Sequence, residues 1–286
     1  MQKLILAILA GAFYVTGYAQ EGVFTLKENY TVSSTGTIYL NTDDANITIE
    51  GSDREDASVD IYRDLDISGV SWGSGEFEVE VEERNGDLYI REKKRSNYTI
   101  AIGSFREEYE ITIKLPSTVS LDLKGDDDDY NISDINGSIE IDADDSDVKL
   151  TNCKGNMFRI ELDDGDLEMD GGSGTLDLNM DDGDAYIRNG SFNKVSADFD
   201  DGDFELETSL DDDGDYYMSS SDGRITLIVT GGGGRFDISM DDGYLRADDA
   251  FESVEDREHR KVLRLPKGNA RIRISADDAR ITLENM

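Results

Sequence analysis

Cysteine and proline are nearly absent from this chain, which has one cysteine, Cys153, and two prolines in 286 residues. A single cysteine excludes an intramolecular disulfide, so the fold must be held by packing and hydrogen bonds alone. A thiol catalyst would find one imidazole partner, His259, and no local motif joins the two, so Cys153 reads as a small buried residue at a strand end. The scarcity of proline, together with strict alternation of apolar and polar residues, excludes the disorder that the charge alone would suggest. Basic residues are also in deficit. Against 65 Asp and Glu stand 28 Lys and Arg, a net charge of −37. Such a surface repels nucleic acid and anionic headgroups; cations and basic proteins are its natural partners. Past the amino terminus no run approaches the ~20 apolar residues of a membrane-spanning helix, so no transmembrane segment is expected.

The amino terminus does hold one apolar run. Lys3, the stretch Leu4 to Val15, and Gly17-Tyr18-Ala19 have the order of a secretory signal peptide cleaved after Ala19. The expectation is therefore an exported protein that is periplasmic, attached to the outer surface or secreted. No cysteine stands at the cleavage point, which argues against a lipid anchor.

What the chain has in abundance is a short acidic tetrapeptide between alternating apolar runs. It stands at Asp126-Asp127-Asp128-Asp129 and returns as Asp144-Asp145-Ser146-Asp147, Asp163-Asp164-Gly165-Asp166, Asp181-Asp182-Gly183-Asp184 and Asp200-Asp201-Gly202-Asp203, in a series whose period, with the next copies at 221 and 241, is 18 to 21 residues. Weaker copies follow at Ser221-Asp222-Gly223-Arg224, Asp241-Asp242-Gly243-Tyr244 and Asp277-Asp278-Ala279-Arg280, and one stands early at Asp43-Asp44-Ala45-Asn46. Each repeat reads as strand, acidic corner, strand. Ile160 and Leu162 before a corner, and Leu167 and Met169 after it, then face one core.

The fold class is all-β, and the reading is a β-solenoid with coils of about 18–21 residues, in which equivalent residues stack ~4.8 Å apart. An antiparallel meander or sandwich of hairpins is the alternative, because Asp-Gly between alternating runs is also a hairpin signal. Gly-rich stretches at Gly171-Gly172-Ser173-Gly174 and Gly231-Gly232-Gly233-Gly234 would close the coil on its other side. The domain reading is a leader at 1–19, a less regular β region capping the solenoid at 20–120, and the acidic solenoid at 121–286, with an insertion or cap near 251–267. Within the amino-terminal region Ser68 to Gly75, with the only tryptophan, reads as a loop.

With the strands placed, the chain resembles a bacterial β-strand-repeat family of candidate adhesins, itself of uncharacterised function. The resemblance rests on Thr37-Ile38-Tyr39-Leu40 leading to Ile47-Thr48-Ile49-Glu50-Gly51, on Ile111-Thr112-Ile113-Lys114-Leu115-Pro116, and on the repeated strand, corner, strand unit from Val119 onward. It covers nearly the whole chain after the leader and implies an exported, solenoid-like β fold. Where that family has Ser or Thr before the corner glycine, this sequence has Asp.

Stacked corners would place Asp127, Asp145, Asp164, Asp182, Asp201, Asp222 and Asp242 in one column, with like charges one rung apart. That repulsion must be relieved by solvent and salt, by protons, or by shared divalent cations. The functional expectation is an exported, non-enzymatic surface-interaction or scaffold protein, adhesin-like, with an unidentified protein or glycan partner. The alternative is a divalent-cation module that holds Ca²⁺ through Asp144, Asp145, Asp163, Asp164, Asp166, Asp181, Asp182, Asp184, Asp200, Asp201 and Asp203; no other cofactor is required. A polysaccharide-active enzyme is a distant third, because a catalytic site is one constellation whereas these acids repeat equivalently. Basic residues gather late, from Arg257 to Arg273, and either pair with neighbouring Glu and Asp or dock on the acidic ladder of another copy in head-to-tail self-association.

Overall fold

The structure, a computed structural model, describes residues 14–16, 23–72, 77–93 and 100–286, and every element among them is a β-strand. Of the leader expected over 1–19, only Tyr14–Thr16 is among the described residues, where it lies antiparallel to Val79–Arg84. The strands form two parallel stacks, and each rung contributes one strand to either stack. Counted from the amino-terminal end, rung 1 is Asp87–Glu92 with the last third of Ile100–Pro116, rung 2 is Thr37–Asn41 with Asn46–Ser52, and rung 3 is Ser120–Gly125 with Asp129–Ser133. Rungs 4 and 5 are Ile139–Asp145 with Val148–Cys153 and Met157–Asp164 with Leu167–Gly171. Ser173–Met180 and the first part of Ala185–Phe199 make rung 6, and the rest of that strand and Asp203–Ser209 make rung 7. Rung 8 is Asp215–Ser220 with Arg224–Gly231, rung 9 Ala270–Ala276 with Arg280–Asn285, and rung 10 Gly234–Met240 with Tyr244–Ala247.

This is the β-solenoid, and the hairpin meander does not form, because the two strands flanking each acidic corner pair with the preceding and following rungs in parallel rather than with each other. Alternation builds the interior. Each strand sends every second side chain inward, so Ile141, Ile160, Leu178, Ala197, Met218, Ile274 and Ile238 stack in one column. Leu150, Met169, Ile187, Leu206, Leu227 and Leu283 stack in the facing one. Nearly all of these side chains are fully buried, and burying one such side chain stabilises by roughly 1.5–3 kcal/mol. The interior is one continuous core along the stack.

Spatial order departs from sequence order at both ends. Rung 2 precedes rung 1 in the chain yet lies between rungs 1 and 3. Rung 9 is the last segment of the chain, yet it is hydrogen-bonded to rung 8 on one side and rung 10 on the other. The column Asp222 to Asp242 expected from the sequence is thus interrupted by Asp278: Asp278 N–H donates to Ser221, and Asp242 N–H donates to Asp277. Equal spacing in sequence does not record this rung order, because every rung presents the same alternating edge to its neighbours.

Both ends carry antiparallel strands. Ala57–Trp72 pairs with Ile100–Pro116 as a ribbon running from Ser58 opposite Lys114 to Trp72 opposite Ile100, with Val23–Tyr30 outside it. Ser68 to Trp72 are therefore strand rather than loop: with no proline to remove a ladder donor, the backbone stays extended. Residues 73–75 of that expected loop lie outside the described residues. At the carboxyl-terminal end Arg260–Leu265 lies antiparallel to Gly234–Met240, and Glu252–Arg257 lies outside that.

Candidate functional site

Each acidic corner has four positions between the last core residue of one strand and the first core residue of the next, and the positions do different work. At the third position Gly165, Gly183, Gly202 and Gly223 have φ between 101° and 114°, a backbone that L side chains rarely adopt. They also stack flush: a Cβ at Gly183 would meet the Gly165 carbonyl oxygen at 2.0 Å, and one at Gly202 would meet that of Gly183 at 2.0 Å. The glycine of the motif is thus required twice, once by φ and once by the rung beneath.

At the fourth position the carboxylates staple rung to rung. Asp147 Oδ1 accepts from Asp166 N–H at 2.9 Å, Asp166 Oδ1 from Asp184 N–H at 2.9 Å, and Asp184 Oδ1 from Asp203 N–H at 2.8 Å. The Tyr186 hydroxyl donates to Asp184 Oδ2 at 3.0 Å, and Arg224 pairs with Asp203 at 2.8 Å. These acids are structural acceptors, which replace water at the opening of each second-stack strand.

Positions one and two point outward. Asp144, Asp145, Asp163, Asp164, Asp181, Asp182, Asp200 and Asp201 are all exposed, and among the described residues none of them has an ion-pair partner. Their backbones continue the stack: Asp145 N–H donates to Asp126, Asp182 N–H to Asp163, and Asp201 N–H to Asp181. The carboxylates are consequently held one above another. Partial loss of solvent and then the neighbouring Asp164 and Asp127 raise the Asp145 carboxyl above its usual range; the same cause, followed by Asp164 and Asp201, raises Asp182. At rung 2 desolvation, Asp43 and Asp127 push Asp44 up to about 6.

The eleven aspartates singled out in the sequence therefore divide. Eight stand in the two outward columns, and Asp166, Asp184 and Asp203 belong to the staple. Among the described residues no group of three or more His, Cys, Asp or Glu side chains is arranged to hold a metal ion. Cys153 is buried at the end of rung 4, and His259 approaches Met240 and Asp241 beside rung 10, so the thiol and the imidazole are in opposite halves of the stack.

The sequence reading missed the inner end of the corner. Asp128 takes the third position in rung 3 and is fully buried, accepting from Thr42 Oγ1 at 2.8 Å, Ala45 N–H at 2.7 Å and the Tyr130 hydroxyl at 3.2 Å. Burial raises its carboxyl, and the three donors oppose that. The available signal was the one corner with Asp where the others have Gly, Ser or Ala. Below it, at rung 1, Glu92 Oε2 and the Tyr109 hydroxyl are buried beside each other. Desolvation pushes Glu92 up to about 7, with Arg63 opposing and Asp43, Asp128 and Glu107 adding to the rise.

On the broad faces several opposite charges meet across rungs. Lys124 pairs with Asp142 at 2.5 Å, Lys149 with Glu168 at 2.9 Å, and Arg159 lies between Glu140 at 3.6 Å and Asp177 at 3.4 Å. Shallow depressions cross the second-stack face. The first, of 430 Å³, runs from Asn46 and Thr48 past Asp129 and Asp147 to Glu168. No helix among the described residues is long and apolar enough to cross a membrane, which does not bear on crossing by strands.

Residues 36–284 match the family described as Toastrack DUF4097, and the chain belongs to that family. No curated protein matches it. Solved structures similar to it include a candidate adhesin from Bacteroides fragilis, 13% identical, with 92% of this chain and 97% of that one covered at a TM-score of 0.47. Another candidate adhesin, from Parabacteroides distasonis, is 11% identical over 92% and 97% at a TM-score of 0.44. A candidate lipid binding protein from the same organism is 14% identical over 91% and 94% at a TM-score of 0.32.

Proposed function

We propose that this Toastrack protein is an exported, non-enzymatic surface-interaction or scaffold protein, adhesin-like, whose outward aspartate columns engage a cationic partner. The observation that carries the reading is the contrast between corner and faces. On the faces opposite charges meet across rungs at Lys124, Lys149 and Arg159, whereas at the corner Asp144, Asp145, Asp163, Asp164, Asp181, Asp182, Asp200 and Asp201 stay exposed with no ion-pair partner among the described residues. Charge held at regular spacing on a rigid edge, and left unneutralised, is available to an outside cation such as a Lys- or Arg-rich surface.

The reading against catalysis rests on the same regularity. Repeated equivalent carboxylates offer no pair set apart by environment as acid and base, and the one thiol and the one imidazole are far apart. Calcium is the competing occupant of the corner, and one experiment separates the two. Binding of a fluorescent oligolysine and thermal unfolding in EDTA, NaCl and CaCl₂ are measured on the wild type and on a variant with Asp163, Asp164, Asp181 and Asp182 changed to Asn. The proposal expects saturable oligolysine binding that the variant weakens several-fold, and equal stabilisation by NaCl and CaCl₂ at matched ionic strength. Unchanged oligolysine binding by the variant would sink it. A calcium shift far above the NaCl shift, lost in the variant, would give the corner to the metal.

A further inference from the structure

At the carboxyl-terminal end the two stacks stop at different heights. The first is extended past rung 10 by Arg260–Leu265 and Glu252–Arg257, whereas the second stops at Tyr244–Ala247, whose outer edge pairs with no strand among the described residues. Phe251 packs edge-on to Phe236 and closes the core under the first stack, and the second stack is less covered. Leu245 and Ala247 are half-buried, while Ile281 and Leu283, opposite them one rung inward, are fully buried. Over this edge the charge reverses. The fourth-position column that reads Asp147, Asp166, Asp184, Asp203 continues as Arg224, Arg280 and Tyr244. Arg224, Arg246, Arg280, Tyr244 and Thr282 line a cleft of 590 Å³. Arg224 is paired with Asp203, but Arg246 and Arg280 are exposed without ion-pair partners among the described residues.

We propose that the free edge of Tyr244–Ala247 is a strand-addition site for an extended partner segment that alternates acidic and apolar residues. Unpaired N–H and C=O groups supply sequence-independent pairing. The half-covered Leu245 and Ala247 take the apolar residues of the incoming strand, and the arginines select the acidic ones. The protein shows the arrangement within itself. Asp203–Ser209 lies parallel to Arg224–Gly231 with Asp203 against Arg224, its Phe204 and Leu206 turned into the core and its acids outward. A strand of that pattern set against Tyr244–Ala247 places its first acid in reach of Arg280 and its third residue opposite Arg246. An edge of four residues is too short for indiscriminate pairing, so selection falls to the arginines.

The test uses the full chain and a fluorescent peptide with the sequence of Asp203–Ser209, measured by anisotropy at physiological salt against the same peptide with both glutamates changed to lysine. Saturable binding of the acidic peptide is expected, weakened at least tenfold for the lysine peptide and in Arg246→Glu, with Arg246→Ala intermediate. Both arginine variants alter an exposed side chain, and an unchanged circular dichroism spectrum verifies that they fold. No saturable binding, equal binding of the two peptides, or indifference to Arg246→Glu would overturn the proposal. Asp164→Asn should leave peptide binding unchanged, which keeps this site distinct from the acidic corner.

Discussion

From Ser120 to Asp213 the chain carries 30 acidic and six basic residues, and from Arg224 to Met286 it carries 12 and 11. Rungs 3–7 and rungs 8–10 nevertheless share one core and one backbone stack through their corners. In the middle rungs the fourth-position acids are absorbed into backbone hydrogen bonds and the outward ones are left to solvent. At the end, arginines occupy the staple column, and Asp237 and Asp215 are paired with Arg235, Arg260 and Arg273. The comparison teaches that charge in this fold is independent of the packing that builds it. Inward positions set the solenoid, and outward positions are free to vary from a like-charged edge to a balanced surface.

The largest expected effect tests whether the corners are equally constrained. Gly183→Ala places a methyl against the Gly165 carbonyl at a φ of 110°, in a rung clamped on both sides, and should cost roughly 3 kcal/mol. Gly243→Ala at rung 10 meets the Ala279 carbonyl at 2.4 Å without the positive φ and with no rung beyond it. That variant should cost about 1 kcal/mol. Urea unfolding of both variants checks the ranking, and equal losses would show that the end rung is as rigid as the middle.

Much of this fold was legible in the sequence. The alternation named the buried residues, from Ile160 and Leu162 to Leu206 and Ile274, because burial on one face of a strand leaves a period of two. Asp-Gly at Gly165, Gly183, Gly202 and Gly223 marked the turn, because glycine fits a third position with positive φ stacked on the rung beneath. Rung order was not legible. Every rung offers its neighbours the same apolar columns, so nothing local distinguishes Asp242 stacking on Asp222 from Asp242 stacking on Asp278. One trace exists: the two displaced rungs, 2 and 9, are the ones with alanine at the third corner position, Ala45 and Ala279, both buried. In the site, the split between outward and stapling aspartates was hidden, because all stand in the same tetrapeptide and differ only in what the adjacent rung presents. Asp128, Glu92 and Arg63 are distant in sequence and meet only after the first rungs exchange places.

A smaller effect separates the acidic region from the balanced one by pH. Asp44 and Glu92 titrate above their ordinary range, at about 6 and about 7. The folded state therefore binds their protons more tightly than the unfolded chain, and stability rises as pH falls from 8 through these values, levelling near the unfolded pKa. Glu168 and Asp237 are held below the usual range: Lys149 lowers Glu168, and Arg260 and Arg235 lower Asp237 against a desolvation that opposes them. Their contribution is complete at neutral pH and is lost only as pH drops below about 4. Denaturation midpoints should therefore peak on the acid side of neutrality. Glu92→Gln should remove on the order of 1 kcal/mol of the dependence between pH 8 and 6. A profile as steep in the variant as in the wild type would detach the effect from rung 1.

The smallest effect is one of sign. Asp182→Asn removes one charge from a column in which Asp164 and Asp201 stand on either side, and no ion pair is lost with it. Asn keeps the shape of the side chain, so the melting temperature should rise, most at low ionic strength where the column is least screened. Asp237→Asn removes a carboxylate that accepts from Arg235 at 2.9 Å and Arg260 at 2.6 Å. The melting temperature should fall there, by the equivalent of about 0.5 kcal/mol for a partly exposed pair. Added NaCl should then bring both variants toward the wild type from opposite sides. If both changes lower stability at every salt concentration, the outward aspartates are structural like those of the staple, and the contrast between the two regions reduces to composition.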